Sequence, residues 1–135
     1  MKSIKLRPAT FDDADKLLKW KNDSAMLRNS IRTTKKIRQE DHIAWLKHHI
    51  KDIRIITDGV VDYGDIRIDS EVSIKIDRRY RNQGISYHAL KKVVKKGMIA
   101  KIVSGNIPSI RLFLKLGFKP VKYFRGYKSY YIFEL

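Results

Sequence analysis

Apolar and polar residues alternate through Val72, Ser73, Ile74, Lys75 and Ile76, and a period of two predicts a half-buried strand. Ile4 and Leu6 predict a first strand, ended at Pro8. Further strands are predicted at Asp52 to Thr57, at Val60 to Ile68 with an interruption at Tyr63-Gly64, at Ile99 to Val103, and as a terminal hairpin from Phe118 to Phe124 and Ser129 to Phe133. Turns fall at Asp58-Gly59, a strong hairpin signal, at Asp69-Ser70 and at Arg125-Gly126. Helical spacing takes over elsewhere. Ile85, Ala89, Leu90, Val93 and Val94 predict a helix from Ile85 to Lys96, with Lys91, Lys92, Lys95 and Lys96 on the other side and Gly97 as its stop. Thr10 caps a helix with Asp12 and Asp13 in its first turn, where negative charge is stabilising. Ala14, Leu17, Leu18 and Lys21 share one face of it, with Trp20 beside them. The pattern weakens at Asn22-Asp23-Ser24, and Ala25 to Arg28 add a turn. Arg32 to Arg38 read as basic and irregular; Gln39 to Ile50 form the next helix, with Ile43, Leu46 and Ile50 as its stripe. Asn106-Ile107-Pro108 opens a short helix, Ser109 to Leu116, ended by Gly117.

The element order is therefore β-α-α-β-β-β-α-β-α-β-β. Residues 52–76 form an antiparallel meander, and the strand at 99–103, reached through a helix, is expected to run parallel to that at 72–76. This is an α/β (α+β) pattern: one domain over residues 1–135, with a mixed, mostly antiparallel sheet and helices on both faces.

Charge changes the picture more than composition does. Thirty Lys and Arg against fourteen Asp and Glu give +16, so the chain attracts anions such as nucleotides or nucleic acid. The basic residues are scattered along the chain, which favours a nucleotide-like ligand. The absence of cysteine excludes disulfides, thiolate metal sites and thiol nucleophiles. No run is apolar enough to span a membrane, and the start lacks the apolar core of a secretory signal, so the cytoplasm is the expected compartment. His42, His48 and His49 lack the i, i+4 spacing of a helical metal pair, and no metal is expected.

The candidate chemistry lies where the strand at 72–76 becomes the helix from Ile85. Helix-opening amides lack intrahelical partners, and a glycine beside them lets a ligand approach. Arg81-Asn82-Gln83-Gly84-Ile85-Ser86 reads as a phosphate cradle. An ordinary loop with a glycine near a helix cap has the same local sequence.

Arg81-x-x-Gly84-x-Ser86, after a strand and opening a helix, resembles the acyl-CoA motif of the GNAT acetyltransferases, Gln/Arg-x-x-Gly-x-Gly/Ala. Ser86 departs from it, although serine is small and keeps its amide. Asn106-x-x-Ser109-x-x-x-Phe113-x-Lys115-Leu116-Gly117-Phe118 is similar to a second motif of that family, and the element order matches its fold. Trp20-Lys21-Asn22 and His42-Ile43-Ala44-Trp45-Leu46 resemble signatures of its PseH-like branch, which acetylates nucleotide-linked amino sugars, and of the ribosomal-protein acetyltransferases.

The resemblance implies that acetyl-CoA is the cosubstrate and a primary amine the acceptor. It implies that the pantetheine arm lies along Ser73, Ile74, Lys75 and Ile76, and that the strands at 74–76 and 99–103 splay apart. It places the pyrophosphate on the amides of Asn82, Gln83, Gly84, Ile85 and Ser86, with Arg78, Arg79, Arg81 and Lys91 near CoA phosphates. Asn106 and Ser109 border the same site; Asn106 also reads as a plain helix cap. Glu71 is the candidate base, and a strand-end surface glutamate is its ordinary reading. The family's usual tyrosine acid is Phe113 here; Tyr87, Tyr123, Tyr127, a water, or a thiolate leaving unaided would take its place. A protein N-acetyltransferase, a member that binds CoA without catalysis, and a nucleic-acid-binding module are the other readings. The protein is expected as monomer or homodimer.

Overall fold

A strand that carries β-branched residues on both faces is buried on both, and Ile53–Thr57 does so, with only Arg54 left partly exposed. In the computed structural model, which describes residues 3–33 and 35–135, this strand sits inside a four-stranded antiparallel sheet. The strands are β1 (Lys5–Pro8), β2 (Ile53–Thr57), β3 (Asp62–Ile68) and β4 (Val72–Ile76), in that spatial order. Ile55, Ile56 and Ile66 are completely buried in it. A second antiparallel sheet has the order β5 (Ile99–Val103), β7 (Tyr130–Glu134), β6 (Lys119–Phe124).

The helices are α1 (Ala14–Lys21), α2 (Ser24–Arg28), α3 (Gln39–His49), α4 (Ile85–Lys91) and α5 (Ile107–Lys115). The element order is the expected one with one addition, since the turn expected at 25–28 is a separate short helix, α2; the fold is mixed α and β with antiparallel sheets. None of the helices among the described residues is long and apolar enough to cross a membrane. The basic stretch at 32–38 includes residue 34, which lies outside the described residues.

Several expectations change in detail. β4 and β5, expected as parallel neighbours that splay apart, are separated completely: they share no ladder, and each is the edge of its own sheet. An edge strand has backbone N–H and C=O groups turned away from its one partner. The strand at β3 is not interrupted at Tyr63-Gly64. Gly64 lies opposite Ile76 in the ladder, and a Cβ there would stand 2.0 Å from the Lys75 carbonyl oxygen. The glycine is needed because the β4 backbone comes close, while the irregularity sits across the ladder between Ile56 and Thr57.

α4 ends at Lys91, five residues before the expected stop at Lys96. Lys92 N–H donates to the Ala89 carbonyl and Val93 N–H to that of Leu90, the tighter i−3 pattern. Val93 and Val94 still pack against the core, so their spacing reports burial without reporting helix. α1 buries Ala14, Leu17 and Trp20, with Leu18 only partly covered. α3 buries Leu46 and His42, whereas Ile43 and Ile50 lie at the margin. The reason is tertiary: α3 faces α1, and the His42 Nε2 lies 3.0 Å from the Ala14 carbonyl oxygen.

Candidate active site

β4 hands the chain to the turn Arg78–Tyr80 through Asp77, which is buried. The Asp77 carboxylate accepts from Arg79 Nε and Nη2 at 3.1 Å each, from the Arg79 amide at 3.0 Å and from Trp20 Nε1 at 3.0 Å. The Arg79 hydrogen bonds lead in holding this carboxyl far below the usual carboxylate range. Arg81 donates from Nε to the Ile76 carbonyl at 3.0 Å and from Nη2 to Asp23 Oδ1 at 3.0 Å. Arg78 reaches Asp23 Oδ2 at 3.2 Å and Ser24 Oγ at 3.0 Å. Burial opposes the Asp23 charge, yet Arg81, the Met26 amide and Arg78 together hold its carboxyl below the usual range. The three arginines expected beside CoA phosphates are thus engaged by carboxylates of the chain itself. They tie the loop to β4 and to the start of α2.

That tethered loop has two left-handed residues, Asn82 at φ 63° and Gly84 at φ 77°. Asparagine and glycine are the residues that tolerate this region. Gly84 is the N-cap of α4. The N–H groups of residues 82–87 have no acceptor among the described residues. They border a cleft of about 630 Å³ that also takes in Ile74, Ile76, Asn106 and Ser109. Asn106 is indeed a helix cap, its side chain accepting from the Ser109 amide at 3.4 Å. The cleft lining contains ten of the twelve residues expected to hold the cofactor: Ile74, Ile76, Arg81, Asn82, Gln83, Gly84, Ile85, Ser86, Asn106 and Ser109. The other two, Ser73 and Lys75, line an adjoining cavity of about 590 Å³. The two spaces share Met26, Asn29, Ile74, Asn106 and Ser109, so they form one trench between β4 and β5.

The adjoining cavity sets charged and polar side chains among apolar ones. Glu71 lies on its wall, with Oε2 3.5 Å from Lys101 Nζ across the gap between the sheets. Lys21 Nζ sits 3.0 Å from the centre of the Trp45 ring. Burial, with Lys75 and Arg67 nearby, pulls its ammonium down to about 7. His42 is 1% exposed; burial first, and then Lys21, hold it below the ordinary histidine range. Phe113 is buried edge-on against Phe118 at 5.0 Å and has no proton to give. Of its expected stand-ins, Tyr127 is 96% exposed and Tyr123 46%, and neither lines the trench. Tyr87 lines the cleft with Lys115 4.2 Å from its ring centre.

Tyr130, Arg67 and Lys101 also line the cavity and were not singled out by sequence. Lys101 had a signal: it interrupts the apolar strand Ile99 to Val103 at its middle. Tyr130 had none, because its neighbour Tyr131 offers the same pattern. His49, Asp52 and Asp69 bring ligand atoms within 4.8 Å of one another. Asp69 is already paired with Arg67 at 3.2 Å.

Residues 3–119 match the family model described as an acetyltransferase (GNAT) domain. A search of the curated proteins found no match. Among solved structures, a domain from Methanocaldococcus jannaschii DSM 2661 has a TM-score of 0.82 at 23% identity, covering 100% of each chain. The yncA protein of Salmonella typhimurium, solved with its cofactor acetyl-CoA, gives 0.81 at 17% identity over 99% of this chain and 94% of that one. The ribosomal-protein-alanine N-acetyltransferase of Brucella melitensis gives 0.80 at 19% identity over 97% and 98%. At these identities the likeness is one of fold.

Proposed function

The chain belongs to the GNAT acetyltransferase family, and from that premise we propose that it acetylates the amine of a small polar acceptor, an amino sugar carried on a nucleotide. Acyl transfer from acetyl-CoA is the activity of the family. The observation that carries the finer reading is the continuous trench: a cradle of unpaired amides opens into a cavity whose walls mix charged, polar and apolar side chains.

The cradle fits the cofactor. Unpaired N–H groups at residues 82–87 are donors for a pyrophosphate, and α4 begins there. Arg81 acts by holding the loop in shape, since Asp23 and the Ile76 carbonyl occupy its guanidinium. The free edge of β4 supplies backbone groups to align the pantetheine arm, which explains why any side chain of suitable size suffices there. Acetyl-CoA supplies the thioester whose acetyl group is transferred. A backbone N–H of residues 74–76 polarises its carbonyl, the kind of fixed donor that stabilises developing charge. Glu71 takes the proton of the incoming ammonium, directly or through water, with Lys101 fixing its carboxylate. Thiols have a pKa of about 8.5, so the leaving thiolate needs no dedicated acid at the Phe113 position.

A protein acceptor is the second reading. The net charge of +16 would draw an acidic peptide, and a fold relative acts, by its name, on a ribosomal protein.

Acetyl-CoA is expected to raise the melting temperature of the protein, and Gly84→Trp, which forces a bulky residue into the left-handed cap, to abolish that rise. Free-thiol release is then scored with nucleotide-linked amino sugars and with acidic peptides. Turnover with the sugars alone supports the first reading, and turnover with the peptides alone replaces it by the second. An unchanged melting temperature with acetyl-CoA would overturn the assignment of the cradle.

A further inference from the structure

Three buried side-chain atoms have no hydrogen-bond partner among the described residues: His42 Nδ1, Arg67 Nε and Ser73 Oγ. All three belong to side chains that line the same cavity. Proteins rarely leave such atoms unpaired in a core, because desolvation without a partner is unfavourable. Their gathering on one wall points to a ligand that completes them. Arg67 Nε lies 3.2 Å from Asp69 Oδ2, outside hydrogen-bond alignment but in ion-pair range, so it carries less weight.

His42 carries the most. A carbonyl oxygen can only accept, so the Nε2 that faces Ala14 at 3.0 Å is the protonated nitrogen. In the neutral ring Nδ1 is then a bare lone pair, able to accept and unable to donate. Stacking on Trp45, with ring centres 6.3 Å apart and planes 18° apart, fixes the ring from a second side. One edge of the imidazole is taken by α1; the Nδ1 edge is buried without a partner among the described residues, in a side chain that borders the cavity.

We propose that His42 determines acceptor specificity: its Nδ1 receives a hydrogen bond from a hydroxyl of the acceptor, while Ser73 Oγ pairs a second oxygen. The inference rests on reading this cavity as the acceptor site. It names the acceptor class as hydroxylated amines, because a hydroxyl supplies both the donor that His42 needs and an oxygen that Ser73 can meet. Aliphatic amines leave both atoms unpaired. Burial and the charges of Lys21 and Lys75 keep the ring neutral, which preserves the lone pair.

The test uses the full chain with two variants and two probe amines. In His42→Gln the amide nitrogen reaches toward the Nε2 position and can still serve Ala14, but no acceptor stands at the Nδ1 position. In His42→Asn the amide oxygen stands near the Nδ1 position. Initial rates are measured with a nucleotide-linked amino sugar and with cyclohexylamine, alongside the acetyl-CoA thermal shift. The wild type is expected to prefer the sugar. His42→Gln should raise the sugar KM roughly tenfold or more with little change in kcat, and His42→Asn should recover part of it. The acetyl-CoA shift should be the same in all three proteins.

Equal use of both amines by the wild type overturns the proposal, and so does an unaltered sugar KM in His42→Gln with the acetyl-CoA shift intact. If His42→Gln does not fold, the wild-type preference between the two amines decides alone. Absence of the acetyl-CoA shift in the wild type is a different failure, since it removes the cofactor site and this inference with it.

Discussion

The cofactor end of the trench is built from backbone, and the acceptor end from side chains. At the first, the charged groups are already satisfied: Arg78 and Arg81 by Asp23, Arg79 by Asp77. What faces the cleft is a row of amides held by Asn82 and Gly84 in left-handed conformations. At the second, His42 stands on a helix and Ser73 on a strand, and the unpaired atoms are those of their side chains, with Lys21 against Trp45. A diphosphate is common to every acetyl-CoA enzyme, and backbone amides bind it whatever the side chains are. Acceptors differ between enzymes, and only side chains can be exchanged to match them.

The contrast breaks first at the strand both ends share. Gly64→Val would drive a side chain into the Lys75 carbonyl and push β4 from β3. A stability loss of about 3–5 kcal/mol, or failure to fold, is expected in a urea titration. Asp23→Ala separates the ends. It removes the Ala25 and Met26 N-cap bonds of α2 and frees Arg78 and Arg81. A loss of about 2 kcal/mol is expected, together with a smaller acetyl-CoA thermal shift and an unchanged acceptor KM.

Lys21→Met probes the acceptor end alone. The folded protein holds this amine at about 7, below the ordinary lysine value of about 10.5. Protonation is therefore disfavoured in the folded state. The penalty is fully present below pH 7 and is relieved as pH rises from there toward about 10.5, because the unfolded chain then binds more protons. Methionine fills the same space without the charge. The variant is expected to gain about 1 kcal/mol at pH 6 and less at pH 9, read from melting curves at both pH values. A gain that grew with pH would contradict the buried-ammonium account.

Much of the fold was legible because local physics repeats. Alternation at 72–76 and 99–103, the turn at Asp58-Gly59 and the glycine at 117 all act within a few residues, and each element stands where they put it. The misread places are those where a distant neighbour decides. Gly64 looks like a strand breaker until the β4 backbone arrives beside it. Val93 and Val94 look helical because the core wants them buried, although the helix has already ended at Lys91.

The same divide runs through the candidate site. The chain by itself marked the cradle, since Gly84, the strand before it and the helix after it are contiguous and a backbone site is written in consecutive residues. It also marked Glu71, at the mouth of that strand. Only tertiary structure could show that Arg78 and Arg81 answer to Asp23, since that depends on α2 lying against the loop. Only tertiary structure could gather Lys21, His42, Arg67, Ser73, Lys101 and Tyr130 around one cavity. An unpaired atom is a property of what surrounds it, and no residue carries its surroundings in its own position along the chain.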